Sequence, residues 1–295
     1  MRKQNSSAIP KTSSPQDSAG QLIQVIELDA SYEQEVLEFL SQRPIHTVGM
    51  VRFIQDNGIV SQLNRGTFYG CRNREGQLEG VALIGHSTLL ETTTDRAAEA
   101  LAAVAQTCTT AHMITGEKER INNFWHYYAE AGQGMRHARR ELLFELKWPV
   151  EALPDVPDLR LATSAADLEL VAKIPAEVAF YESALLGNAE SSRQRCARRI
   201  EQGRTWVCAD AGKIVFKADV TSYASSVIYL ESVWTNSDRC SQGYGLRCMS
   251  QLARTLLRRT NSVCVLINEN DKKAHRFYQR AGYKLRAIYD TIFLN

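Results

Sequence analysis

The sequence predicts an α/β chain made of two tandem units, each a mixed, mostly antiparallel sheet flanked by helices. At 295 residues the chain is longer than one domain of roughly 100 to 150 residues requires. Pro149, Pro154 and Pro157 crowd the stretch from Trp148 to Asp158 and interrupt any helix or central strand there, which marks a boundary. On either side of it the pattern repeats: Tyr128, Ala131 and Gly132 stand 150 positions before Tyr278, Ala281 and Gly282.

In each copy a short apolar strand, Ala111 to Thr115 or Val263 to Asn268, leads into a polar helix containing Lys and Arg, with an aromatic on its last turns. The helix stops at Ala-Gly, where glycine takes the left-handed capping conformation. A strand rich in β-branched or aromatic residues follows, Arg140 to Lys147 in the first copy and Ala287 to Leu294 in the second. A shared offset of this kind reads as a duplication. The expected organisation is a disordered tail over residues 1–20, poor in large apolar side chains, a first unit over 21–150 and a second over 158–295.

With 44% hydrophobic residues, 23% charged residues and a net charge of +2, the composition is that of an ordinary globular chain. It calls for no nucleic-acid partner. No apolar run reaches the ~20 residues that cross a bilayer, and no apolar stretch follows Arg2 and Lys3 as in a secretory signal. A cytoplasmic protein without a membrane partner is expected. The seven cysteines are scattered and never form Cys-x-x-Cys, so reduced thiols are expected, with neither a disulfide framework nor a metal site.

In the second unit a short strand from Leu159, a helix from about Ala165 and a polar segment from Tyr181 to Ser192 precede a basic helix ending near Gln202. Strand Thr205 to Ala209 turns at Asp210-Ala211-Gly212 into strand Lys213 to Val220, and Val227 to Trp234 forms the next. The meander ends at Asp238-Arg239-Cys240-Ser241-Gln242-Gly243-Tyr244-Gly245, which opens a helix to about Thr260. Leu246, Met249, Ala253, Leu256 and Leu257 recur at helical spacing, with Arg247, Arg254, Arg258 and Arg259 largely off that stripe. Gly243 and Gly245 remove side chains where the first turn leaves N–H groups unpaired, which suits an anionic phosphate. A tight turn is the alternative. A dinucleotide fold is disfavoured because the glycines follow a meander rather than the first strand, and no Gly-Lys-Ser/Thr marks a P-loop.

Cys240-Ser241-Gln242-Gly243-Tyr244-Gly245 resembles the acyl-CoA loop of the GCN5-related N-acetyltransferases (GNAT), Arg/Gln-x-x-Gly-x-Gly/Ala, with Cys240 in place of the first Arg or Gln. Asp271-Lys272-Lys273-Ala274-His275-Arg276-Phe277-Tyr278-Gln279-Arg280-Ala281-Gly282-Tyr283 is similar to their second signature, with Asp271 where Asn is usual and Asn268 and Asn270 nearby. The resemblance spans the second half. Lys213 to Val220 and Val233-Trp234-Thr235 also resemble bacterial members that carry a degenerate N-terminal copy. The stretch from His86 to Ala105 has no Gly-x-Gly, so the first unit is expected not to bind CoA.

The resemblance implies a fold built of two tandem GNAT-like units and an acetyl-CoA-dependent transfer to a primary amine of a small molecule or protein. It places the cosubstrate against Val233, Thr235, Cys240, Ser241, Gln242, Gly243, Tyr244, Gly245, Asn268 and Asp271, the first two through backbone groups. Such a transfer needs a base for the amine, donors for the oxyanion and an acid for the thiolate. Tyr278 falls at the family's general-acid position, with a core tyrosine as the plain alternative. Glu231, two residues before Val233 and so expected on the same strand face, is the candidate base, with a solvated or arginine-paired glutamate as its alternative. Cys240 has no histidine near in sequence to activate it, which favours direct attack. Tyr181, Glu182 and Trp206 are candidates for the acceptor pocket. Trp125, His126, Tyr127 and Tyr128 read as packing and interdomain surface. Arg193, Arg195, Arg198 and Arg199 read as a solvated helix face, or else as a site for an acidic substrate or the CoA 3′-phosphate. An acyl-CoA-binding regulatory module without turnover is the rival reading, and a tandem pair that mimics a dimer internally predicts a monomer.

Overall fold

A computed structural model describes residues 24–149, 153–163, 165–174, 192–223, 226–236 and 243–295. The expected disordered tail lies outside the described residues. The first half runs β1 (Gln24–Glu27), α1 (Glu33–Ser41), α2 (Pro44–Asn57), β2 (Gly66–Arg72), β3 (Leu78–Gly85), β4 (Ser87–Thr92), α3 (Asp95–Gln106), β5 (Met113–Glu117), α4 (Lys118–Tyr128) and β6 (Met135–Leu146). The second runs β7 (Leu159–Leu161), α5 (Ala165–Val171), α6 (Ser192–Glu201), β8 (Thr205–Asp210), β9 (Lys213–Tyr223), β10 (Ile228–Thr235), α7 (Tyr244–Leu257), β11 (Val263–Asn268), α8 (Lys272–Arg280) and β12 (Lys284–Leu294).

Local chemistry accounts for these elements. The β8–β9 hairpin closes with Asp210 opposite Lys213, and Ala211 and Gly212 both take positive φ, 48° and 74°, as a two-residue turn matched to strand twist requires. Helix α7 buries Met249, Ala253 and Leu256 as its periodicity predicts, while Arg247 and Arg254 turn away to hold the connecting segment. Arg247 donates to the carbonyls of Pro154 and Asp155, and Gln251 accepts from the Val156 amide at 2.6 Å.

Each half is a mixed, mostly antiparallel sheet flanked by helices, yet the two are not separate sheets. Among the described residues they form one twelve-stranded sheet in the order β1-β2-β3-β4-β5-β12-β6-β11-β10-β9-β8-β7. The last strands are exchanged: β12 pairs with β5 of the first half, and β6 pairs with β11 of the second. The two exchanged strands meet antiparallel in the middle, and their central register sets Glu141 opposite Tyr289, Arg140 opposite Asp290 and Arg139 opposite Thr291. Arg140 and Asp290 are 150 positions apart, the same offset as the sequence repeat, so the pseudo-two-fold axis passes between them.

Each half has a core under its later pair of helices, with β12 serving the first. Ile292 and Leu294 pack with Leu101, Ile121, Phe124 and Tyr128 under α3 and α4. In the second half Phe216, Ile228, Leu230, Val265 and Tyr278 pack under α7 and α8. A smaller cluster joins the halves, in which Val48 of α2 meets Val227, Tyr229, Cys264 and Tyr289. The first half thereby lays α2 over the face of the second half's sheet opposite α7. Tyr229 donates to the Ile45 carbonyl at 2.6 Å, and Arg204 grips both oxygens of Asp56 at 2.9 and 2.6 Å.

Candidate active site

Strands β10 and β11 pair in parallel only from Ile228–Val263 to Leu230–Val265, although β10 continues to Thr235 and β11 to Asn268. Beyond Leu230 the two strands part, leaving backbone N–H and C=O groups along a wedge. The helix that starts at the mouth of this wedge is α7. Gly243 caps it at φ 73° with no side-chain hydrogen bond, and a Cβ added there would meet no atom within 4 Å. At Gly245 the opposite holds: a Cβ would lie 2.7 Å from Thr235 Oγ1, so glycine is what lets α7 close on the end of β10.

Glu231 and Val233 do not share a face. Between Glu231 and Trp234 the strand advances three residues while β9 advances two, from Asp219 to Lys217. The extra residue forms a β-bulge, with Ser232 in the left-handed region at φ 49°. The period-two argument fails there because the bulge shifts it by one. Val233 packs with the cluster under α7, whereas Glu231 turns to the α2 side. It lines a cavity of about 130 Å³ walled by Met50, Phe53, Leu90, Leu266 and Tyr229.

The surroundings of Glu231 are charged. Asp219 is its cross-strand partner, and Arg199 pairs with Asp219 while standing 3.9 Å from Glu231. Lys217 also pairs with Asp219. Burial pushes the Glu231 carboxyl above its ordinary range, with Arg199 and Arg52 pulling the other way. Such a carboxyl gains basicity, which suits a base working near neutral pH.

Tyr278, by contrast, sits on the opposite side of the sheet. It is 5% exposed, packs edge-on to Phe277 and Tyr283 with ring centroids 5.2 and 5.4 Å away, and shares its cluster with Leu230, Val265 and Ile267. Burial raises its phenol above the usual value, so it holds its proton. Its counterpart Tyr128 is 1% exposed and accepts a hydrogen bond from the Gln133 amide at 3.3 Å, a purely structural use of the repeat position.

Asp271 is the N-cap of α8, accepting from the amides of Lys273 and Ala274 at 3.1 and 2.9 Å. Its carboxylate is thus engaged by the helix. Asn268 ends β11: its side chain accepts from the Asn270 amide, and its carbonyl accepts from the Asp271 amide and contacts His275 Nε2 at 3.0 Å. Tyr244 opens α7 with the Arg247 guanidinium 5.7 Å from its ring. Cys240, Ser241 and Gln242 lie outside the described residues, as do Tyr181 and Glu182. Trp206 is not at this cavity; it packs in the cluster under α7 with Cys208. Sequence reasoning missed Arg52, Tyr229 and Asp219. Lys217 and Asp219, polar at period two in an apolar strand, were a usable signal, whereas nothing in the second half announces a residue from α2.

The first half has the same wedge in a different condition. Strands β4 and β5 pair in parallel from Ser87–Met113 to Leu89–Thr115 and then part. Two residues further along each strand, Glu91 and Glu117 are bridged by Arg43, whose guanidinium bonds both carboxylates. The start of α3 is closed as well, because Thr94 Oγ1 accepts from the Ala97 amide at 3.2 Å. In the first half, then, side chains of the chain itself span the point where the strands part.

A parting pair of parallel strands with a helix beside it, repeated about a two-fold axis, defines a tandem α/β fold in which one of the two helices opens at glycine. Residues 201–285 match the model of the Acetyltransferase (GNAT) domain family. Among solved structures, a GCN5-related N-acetyltransferase from Sphaerobacter thermophilus is similar at 12% identity and TM-score 0.62, over 92% of this chain and 95% of that one. A tandem GNAT protein from the clavulanic acid biosynthesis pathway is similar at 13% identity and TM-score 0.55, over 92% and 98% of the two chains. A GNAT-family acetyltransferase from Colwellia psychrerythraea is similar at 12% identity and TM-score 0.55, over 93% and 100%. No curated protein matches. Over residues 201–285 the chain is similar to the GNAT domain family, and as a whole it has the tandem GNAT fold. Among the described residues no helix is long and apolar enough to cross a membrane, and no group of three or more His, Cys, Asp or Glu is arranged to hold a metal ion.

Proposed function

We propose that the second half transfers an acetyl group from acetyl-CoA to a primary amine by direct attack. The observation that carries this reading is the parting of β10 and β11, with Glu231 and its cavity on one face and the cluster of Tyr278 on the other. Bound acetyl-CoA supplies an activated acetyl thioester. Gly243, Tyr244 and Gly245 hold its phosphates by backbone N–H groups at the start of α7, where the helix dipole adds to the attraction. The backbone of β10 at Val233 and Thr235, beyond the point where β10 and β11 part, orients the acyl arm and donates to the carbonyl oxygen. Glu231 takes the proton of the amine from the α2 side, and Tyr278 holds the proton that the departing sulfur needs. Asn268 and Asp271 shape the far end of the wedge, Asp271 by capping α8.

The first half, its wedge bridged by Arg43, acts as scaffold and as one wall of the acceptor cavity. The two halves stand in for two subunits, so a monomer in solution is proposed; light scattering from a stable dimer would contradict that.

Calorimetry with acetyl-CoA and desulfo-CoA tests the core of the reading. Binding to the wild-type protein, lost in Gly243→Glu, is expected; absence of wild-type binding would overturn it. The rival, a regulatory acyl-CoA-binding module, predicts the same binding but no acetylation of any amine in a broad screen.

A further inference from the structure

Beside the Glu231 cavity lies a second cleft, of about 430 Å³, formed jointly by the two halves. Arg52 and Arg65 line it from the first half, and Arg195, Arg198, Arg199 and Arg204 from the second; among the described residues Asp56 is the one carboxylate in its wall. Asp56 is already held at both oxygens by Arg204 and stands 3.5 Å from Arg52 Nε. Arg199 is 9% exposed, committed to Asp219 and close to Glu231. Burial, with Arg199 and Arg204 close by, pulls the Arg52 guanidinium below its ordinary value. Six guanidinium groups converging on one cleft give it a positive potential that attracts an anion.

The cleft and the Glu231 cavity adjoin. Arg52, Phe53 and Thr221 line both. Both open on the face covered by α2 and α6, whereas α7 and its glycine-opened start lie on the other. An anion in this cleft therefore belongs to what enters from the acceptor side rather than to the CoA phosphates. We infer that the arginine cleft holds a phosphate or carboxylate of the acceptor, so that the amine presented to Glu231 belongs to a small molecule bearing an acidic group. This rests on the transfer reading given above. Planar guanidinium groups suit both oxyanions, which they bind in bidentate fashion.

The test uses full-length protein and two matched series, ω-aminoalkyl phosphates and the corresponding ω-amino alcohols, two to six carbons long. For the best chain length kcat/KM is expected to favour the phosphate by at least tenfold, as one charge-assisted contact of about 1.5 to 3 kcal/mol implies. Arg195→Gln/Arg198→Gln, and separately Arg65→Gln from the facing wall, remove that preference while acetyl-CoA affinity and kcat/KM for the amino alcohols stay unchanged. Equal kcat/KM for the two series in the wild type overturns the inference. So does weakened acetyl-CoA binding in the variants with the preference intact, which would assign the arginines to CoA. Inorganic phosphate titrated by calorimetry separates this inference from the transfer itself. If no amine is acetylated, phosphate binding that is lost in both variants still establishes an anion site in the cleft, and absence of phosphate binding removes it.

Discussion

Arg140 and Asp290 face each other across the two exchanged strands, joined by two hydrogen bonds of 2.8 and 3.0 Å, at the point where the pseudo-two-fold axis crosses the sheet. In a symmetric dimer a residue on such an axis meets its own copy. In a single chain the two positions are free to differ, and here they have opposite charges. Arg140→Asp sets two carboxylates face to face, with Asp290 8% exposed, and is expected to destabilise the protein by about 1–3 kcal/mol. The double reversal Arg140→Asp/Asp290→Arg recovers most of that loss. Urea unfolding of the four members of the cycle measures it.

In the proposed transfer Glu231 and Tyr278 act at different protons, so their effects separate kinetically. Glu231→Gln and Tyr278→Phe should each lower kcat by about 10²–10⁴-fold, with acetyl-CoA affinity retained in calorimetry. The base works deprotonated, so activity rises with pH through its titration. Because burial raises that carboxyl above 4.5, the acidic limb of kcat/KM lies above the ordinary glutamate range, and Glu231→Gln abolishes it.

Gly245 is a packing requirement for the site. Gly245→Ala places a methyl group 2.7 Å from Thr235 Oγ1, closer than van der Waals contact allows, and forces α7 away from the end of β10. Acetyl-CoA affinity should fall at least tenfold while the thermal unfolding midpoint moves little, since the change lies at a helix start rather than in a core.

Arg43 offers the converse test in the first half. Arg43→Ala leaves Glu91, 4% exposed, without the guanidinium that bridges it to Glu117. A loss of about 2–4 kcal/mol is expected, with acetyl-CoA affinity unchanged. Reduced affinity would mean that the first wedge takes part in binding.

Features set by neighbours in sequence were legible. The Asp210-Ala211-Gly212 turn, the stripe of α7 and the cap at Gly243 are decided within a few residues, so turn chemistry and periodicity identify them. The exchange of β6 and β12 was not legible, because either strand presents the same alternation to either partner and the choice depends on contacts across the whole chain. The Ser232 bulge was equally hidden. One extra residue leaves composition and spacing untouched, yet it moves Glu231 to the face opposite Val233. The cavity at Glu231 is walled by α2, a helix of the other half, which no motif in the second half can reveal.

The exchange of last strands also bears on how the protein is made. Thr115 in β5 bonds Thr291 in β12 at 2.7 Å, 176 positions later. At a synthesis rate of about 5–20 residues per second, the β5 edge emerges from the ribosome roughly 9 to 35 s before its partner exists. Over that interval the nascent first half presents a bare strand edge that invites pairing with any other chain. Its maturation depends on being shielded until the last strand arrives.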